Sequence, residues 1–229
     1  MFIVILLGFM LAGFIVQMRL KKKFKKYGQM GLANGLTGRE IAEKMLSDNG
    51  ITDVRVISTP GKLTDHYDPR NKTVNLSEDV YQQNSIAAAA VAAHECGHAV
   101  QHAQAYSWLQ LRSTLVPVVS FSSRMMGYVF MFMLFGAFIT SWFPLQSVLL
   151  IMIALQASIT LFTMVTLPVE YDASNRALAW LKQTGTATVE EHGKAKDALN
   201  AAANTYLVAA LAAITQLAYY VLMFMGMDD

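Results

Sequence analysis

Two histidines stand four residues apart with a glutamate between them, in His94-Glu95-Cys96-Gly97-His98. On a helix, residues four apart share one face, so both imidazoles can reach a single metal ion. Glu95 lies beside them, placed to take a proton from water at that metal. Neutral imidazoles favour zinc, which lowers the pKa of a coordinated water to about 7. The run from Ile86 to Ala93 is almost all alanine, and Ser85 before it is a predicted N-cap. A largely buried alanine-rich helix needs partners for the charged and polar groups it carries. Cys96 points away from the histidine face and reads as packing.

A catalytic zinc usually takes three protein ligands and keeps one position open. His102 continues the stripe but lies eight residues from His94, about 12 Å along a straight helix. Residues 99–101 are Ala-Val-Gln, with no glycine to bend the chain back. His102 therefore reads as an ordinary polar residue, and His66 and His192 carry no spacing argument. Glu170 does, in Pro168-Val169-Glu170-Tyr171-Asp172-Ala173-Ser174. It follows a long apolar run, and an acid beside lipid is costly without a role. Hydrolysis of a carbonyl also needs a donor for the developing oxyanion. His66, Tyr67 and Arg176 qualify by residue type, and the sequence does not choose among them.

These residues must be held by elements that the charge pattern outlines. The chain has 229 residues, 54% hydrophobic and 15% charged, against about 25% charged in soluble domains. That deficit argues against a purely soluble protein. The net charge of +2 offers no global field for nucleic acid, and a single cysteine excludes an intramolecular disulfide. Residues 1–18, 125–169 and 198–227 contain no charge. A hydrocarbon core is about 30 Å thick, and residues 125–169 as one helix would extend roughly 68 Å. The run therefore reads as two crossings that break at Ser141-Trp142-Phe143-Pro144. Spans are expected near 2–18, 124–141, 145–168 and 204–226.

The first span is a poor signal peptide, because its positive charges follow the apolar run. Arg19, Lys21, Lys22, Lys23, Lys25 and Lys26 come immediately after it, which places them in the cytoplasm by the positive-inside rule. This assignment puts residues 19–123 and 169–203 inside. Of the 18 Lys and Arg, 17 then lie in those segments, and Arg124 sits at the edge, snorkelling to the interface. The turn near residue 143 carries no charge, and Asp228 and Asp229 alone end the chain outside. The lysine cluster could also meet anionic lipid, although topology alone explains it.

Residues 27–112 are polar enough to fold in water. Thr37 and Glu40 form a capping box, Asn49-Gly50 stops that helix, and 53–58 and 73–76 read as short strands. Residues 65–71 read as a polar loop. Helix, strand, strand, helix makes a small α+β unit. The strand near Thr73 could present an edge to an extended peptide, or simply be packed. The motif helix is too short and too polar to cross a membrane itself, which disfavours intramembrane proteolysis.

Three stretches together resemble the bacterial membrane-anchored neutral zinc metallopeptidases of the YugP type. They are His94-Glu95-Cys96-Gly97-His98-Ala99-Val100-Gln101, the upstream Leu63-Thr64-Asp65-His66-Tyr67-Asp68-Pro69-Arg70, and Glu170-Tyr171-Asp172-Ala173-Ser174. The resemblance covers nearly the whole chain. It implies a zinc endopeptidase in a bacterial plasma membrane, with a zincin-like cytoplasmic unit and Glu170 as third ligand to Zn2+. Glu95 is then the general base. Related gluzincins follow their ligand glutamate with Ala-Asp where this chain has Ala173-Ser174, so the partner of the metal histidines is left open.

The expected organisation is an anchor with a basic segment (1–26), a metallopeptidase unit (27–112), a transmembrane hairpin (113–168), a second cytoplasmic segment (169–203) and a last transmembrane helix (204–229). The expected partners are the lipid bilayer and a protein or peptide substrate, possibly a membrane protein, and no nucleic acid. The competing reading is a membrane scaffold or adaptor with a structural zinc, which would need a fourth protein ligand. Substrate identity and oligomeric state are not written in the sequence.

Overall fold

A computed structural model describes residues 2–135 and 144–226. The break at 141–143 and the C-terminal acids Asp228 and Asp229 lie outside the described residues. The element order is α1 (Phe2–Gly28), α2 (Gly38–Asp48), β1 (Arg55–Thr59), β2 (His66–Asp68), β3 (Thr73–Ser77), α3 (Glu78–Gln82), α4 (Ile86–Ala103), α5 (Ser107–Phe135), α6 (Leu145–Gln183) and α7 (Val189–Met225). The class is α+β, mostly helical with one small sheet. Among the described residues, four helices are long and apolar enough to cross a membrane: Ile3–Gly28, Ser107–Leu134, Leu145–Gln183 and Val189–Met225.

The chain divides into two compact units. One comprises Met1–Gly13, Gln110–Leu167 and Tyr206–Asp229. Within it, Met126, Met152 and Tyr220 form a small buried cluster. Gln156 Nε2 and Thr160 Oγ1 both donate to the Ala213 carbonyl, at 3.3 and 3.1 Å. These bonds join α6 to α7 with side chains that would otherwise be unpaired polar groups in an apolar setting.

The other unit comprises Phe14–Leu109 and Pro168–Thr205 and holds the motif helix. α2 begins as expected. Thr37 Oγ1 accepts from the Glu40 N–H, the Glu40 carboxylate accepts from the Thr37 N–H, and Asn49 is the C-cap. α4 also begins as expected, with Ser85 Oγ accepting from the Ala88 N–H. Its alanines bury the helix nearly all round, because small side chains let neighbouring backbones approach on several faces.

The sheet order is β1-β3-β2, with β1 parallel and β2 antiparallel to β3. Two expectations are corrected here. Residues 65–71 are not all loop, since His66–Asp68 pairs with Thr73–Asn75. β3 is not an edge. It is hydrogen-bonded on both sides and buried throughout, so it cannot accept an added strand. Five consecutive buried residues follow from that central place, where both faces are covered.

α6 does not end where its apolar run ends. It continues through Pro168 to Gln183, so Glu170 and Ser174 are borne by a helix and not by a loop. Glu170, Ala173, Ser174 and Ala177 recur at i, i+3, i+4 and i+7 and are all buried, which makes one continuous small-residue face.

Candidate metal centre

α4 and α6 meet at Gly97. A Cβ there would lie 2.6 Å from the Ala173 carbonyl oxygen and 3.1 Å from the Ala173 carbonyl carbon and Cα. Only glycine permits that approach, and it brings the histidine face of α4 against the Glu170 face of α6. His94 Nε2 lies 3.3 Å and His98 Nε2 3.7 Å from the same Glu170 oxygen, Oε2. The imidazoles meet edge to face, centroids 4.8 Å apart. Glu170 is 3% exposed and His98 8%.

Among the described residues, these three form the one group whose donor atoms all fall within 4.8 Å of one another. Donors bonded to one tetrahedral zinc at about 2.0–2.2 Å lie roughly 3.4 Å apart, so the observed spacings suit that ion. Two imidazoles and a carboxylate also match the donor set of a catalytic zinc. Burial pushes the Glu170 carboxyl up, but hydrogen bonds from His94 and His98 outweigh it and hold the group well below the ordinary carboxylate range. Burial likewise lowers His98, and the Glu170 carboxylate more than reverses that, leaving His98 raised above 6.5.

The ring nitrogens facing away from Glu170 are also engaged. His94 Nδ1 lies 3.1 Å from Ser174 Oγ, and His98 Nδ1 lies 3.0 Å from Gln101 Oε1. Gln101 Nε2 donates in turn to the Val169 carbonyl at 2.9 Å and to Asp172 Oδ2 at 2.8 Å. Sequence reasoning missed Ser174 and Gln101. Ser174 holds the place where an aspartate was sought. Gln101 was readable only as the residue three beyond His98 on the same face.

Glu95 is buried, and its Oε2 accepts from the backbone N–H of Tyr67 on β2 at 3.0 Å. The remaining candidates do not join the cluster. Tyr67 OH bonds His102 Nδ1 at 2.8 Å, which gives His102 a partner away from the metal donors. His66 Nδ1–H donates to the Thr64 carbonyl, and His192 Nε2–H to that of Leu178. Arg176 donates to Asp172 Oδ2 and to Gln104 Oε1, with its guanidinium over the Tyr106 ring. Cys96 is fully buried against the Ala42 carbonyl, and burial pushes its thiol well up, as inert packing requires.

With this geometry in place, two comparisons agree. A family profile described as "Putative neutral zinc metallopeptidase" matches residues 2–225. "Putative membrane protease YugP" of Bacillus subtilis (strain 168) is 38% identical over 217 residues, covering 94% of this chain and 93% of that relative. No solved structure matches. Matched along nearly its whole length, the chain belongs to the family described as "Putative neutral zinc metallopeptidase".

Proposed function

We propose that the protein is a membrane-bound zinc endopeptidase in which His94, His98 and Glu170 hold the metal and Glu95 is the general base. The observation that carries this reading is the convergence of His94 Nε2 and His98 Nε2 from α4 on Glu170 Oε2 from α6. A structural zinc would call for a fourth protein donor, and among the described residues the cluster has three.

When bound, zinc supplies Lewis acidity, polarising a carbonyl and lowering the pKa of water to about 7. The chain's own residues do the rest. Glu95 accepts a proton at its carboxylate and returns it to the departing amine nitrogen. The Tyr67 N–H fixes the orientation of that carboxylate. Ser174 and Gln101 hold the imidazoles from behind. The Tyr67 hydroxyl is bonded to His102, His66 Nδ1–H to the Thr64 carbonyl, and Arg176 to Asp172 and Gln104, so each of the three oxyanion candidates is bonded away from the donor cluster.

The domain limits stated above are part of this proposal, as is an active site on the cytoplasmic side of a bacterial plasma membrane. Glu170 follows the apolar stretch 145–168 by two residues, which supports substrates drawn from the membrane or its surface. The test of the whole reading is Glu95→Gln. The variant should keep one zinc per chain and lose peptide cleavage by about 10²–10⁴. An unchanged cleavage rate would refute Glu95 as base.

A further inference from the structure

The two histidines are held from behind by different chemistry, and the difference has a consequence. Ser174 offers His94 a hydroxyl, which can donate or accept and so dictates nothing about the ring. Gln101 offers His98 a carboxamide, whose two ends are not interchangeable. Its Nε2 faces two pure acceptors, the Val169 carbonyl at 2.9 Å and Asp172 Oδ2 at 2.8 Å. Reversing the amide would set Oε1 against both of these with no hydrogen between, in a side chain that is 0% exposed. That arrangement would leave the buried Gln101 Oε1 unpaired and set it against two other oxygens. Arg176 Nε bonds the same Asp172 oxygen at 2.5 Å and is itself tied to Gln104. The Val169 carbonyl and the Asp172 oxygen that Arg176 holds in place keep the amide in one orientation. Oε1 must therefore point at His98 Nδ1, 3.0 Å away, and an oxygen there requires a hydrogen on that nitrogen.

We propose that Gln101 is a positioning residue that locks His98 in the tautomer protonated at Nδ1, leaving the Nε2 lone pair aimed at the metal position beside Glu170. The inference rests on the reading of His94, His98 and Glu170 as ligands. It goes beyond that reading by assigning the proton on one ring and naming the chain that fixes it: Arg176, Asp172, Gln101, His98. Without Gln101 a neutral imidazole is at liberty to carry its hydrogen on Nε2, which blocks coordination until the proton is moved.

The test uses the full chain in detergent, metal-free, with 15N-labelled histidine and long-range 1H–15N correlation at alkaline pH. His98 is assigned through the signals lost in His98→Gln. Wild-type His98 should carry its hydrogen on Nδ1. Gln101→Leu should move part or all of that population to Nε2–H and weaken zinc binding 10–100-fold. Gln101→Met keeps the length of the side chain without the amide and gives the same readout where the leucine variant does not fold. A wild-type His98 protonated on Nε2 overturns the proposal. So does Gln101→Leu or Gln101→Met with an unaltered tautomer and zinc affinity. Failure of the ligand assignment looks different, since His94→Ala and His98→Ala would then keep full zinc affinity whatever the tautomer.

Discussion

Glu170 is a carboxylate at 3% exposure whose compensation comes from two imidazoles. A buried acid without such partners would neutralise instead, so the cluster is built to hold a positive charge between its members. Zinc that binds only the folded chain should stabilise it, by about 2.7 kcal/mol at a hundredfold excess over Kd. Thermal unfolding with and without a chelator measures this, and His98→Ala should abolish the difference. Ser174→Ala removes the group behind His94 and should weaken zinc binding by about tenfold, read by competition with a chromogenic chelator. The grouping of His94, His98 and Glu170 was legible in the sequence because spacing on one helix suffices for the histidines, and the end of an apolar run marks Glu170. The groups behind them were not legible. Which side chain of α6 meets His94 depends on how α4 and α6 cross, and a serine there has no metal-site signature of its own.

At the scale of elements, the crossing of α4 and α6 is set by Gly97. The atoms a Cβ would strike belong to the Ala173 backbone and cannot rotate away. Gly97→Ala should cost about 1–3 kcal/mol through overpacking and remove zinc binding as the two helices part. Gly193, exposed inside α7 with nothing within 4 Å of a Cβ, is the control. Gly193→Ala should stabilise by about 0.5–1 kcal/mol and leave zinc binding alone. The start of α7 makes a second prediction. Glu191 closes a capping box with Thr188 and also accepts from the Ala33 N–H at 2.6 Å. Burial raises this carboxyl, but the Thr188 and Ala33 backbone bonds outweigh it and hold it below 4.5. Its folded pKa lies under its unfolded value. Its stabilisation is therefore complete above about pH 4.5 and is lost as pH falls through the folded value. Glu191→Gln should flatten that acid limb of the stability curve. The caps of α2 and α4 were legible because capping is local; β2 was not, because three residues pair only through contact with β3.

At the scale of the molecule, sidedness rests on charge. The cationic residues cluster after the first apolar run and between the others, while 125–169 has none. Only segments on the side that retains Lys and Arg should carry them, and the proposed cytoplasmic face for His94 and His98 of α4 rests on that rule. The chain provides its own background for testing this. Its single cysteine, Cys96, is 0% exposed and its thiol is pushed well up by burial, so the native protein should resist a maleimide on both sides. Ser58 on β1 is exposed, and Ser58→Cys should react with a membrane-impermeant maleimide only after the cells are permeabilised. Ser141→Cys, in the charge-free stretch 125–169, should react in intact cells. The reverse pattern would turn the protein over and move hydrolysis to the external face. Protection of both introduced thiols until permeabilisation would remove the crossing between them, and with it the path by which Glu170 returns to His94 and His98.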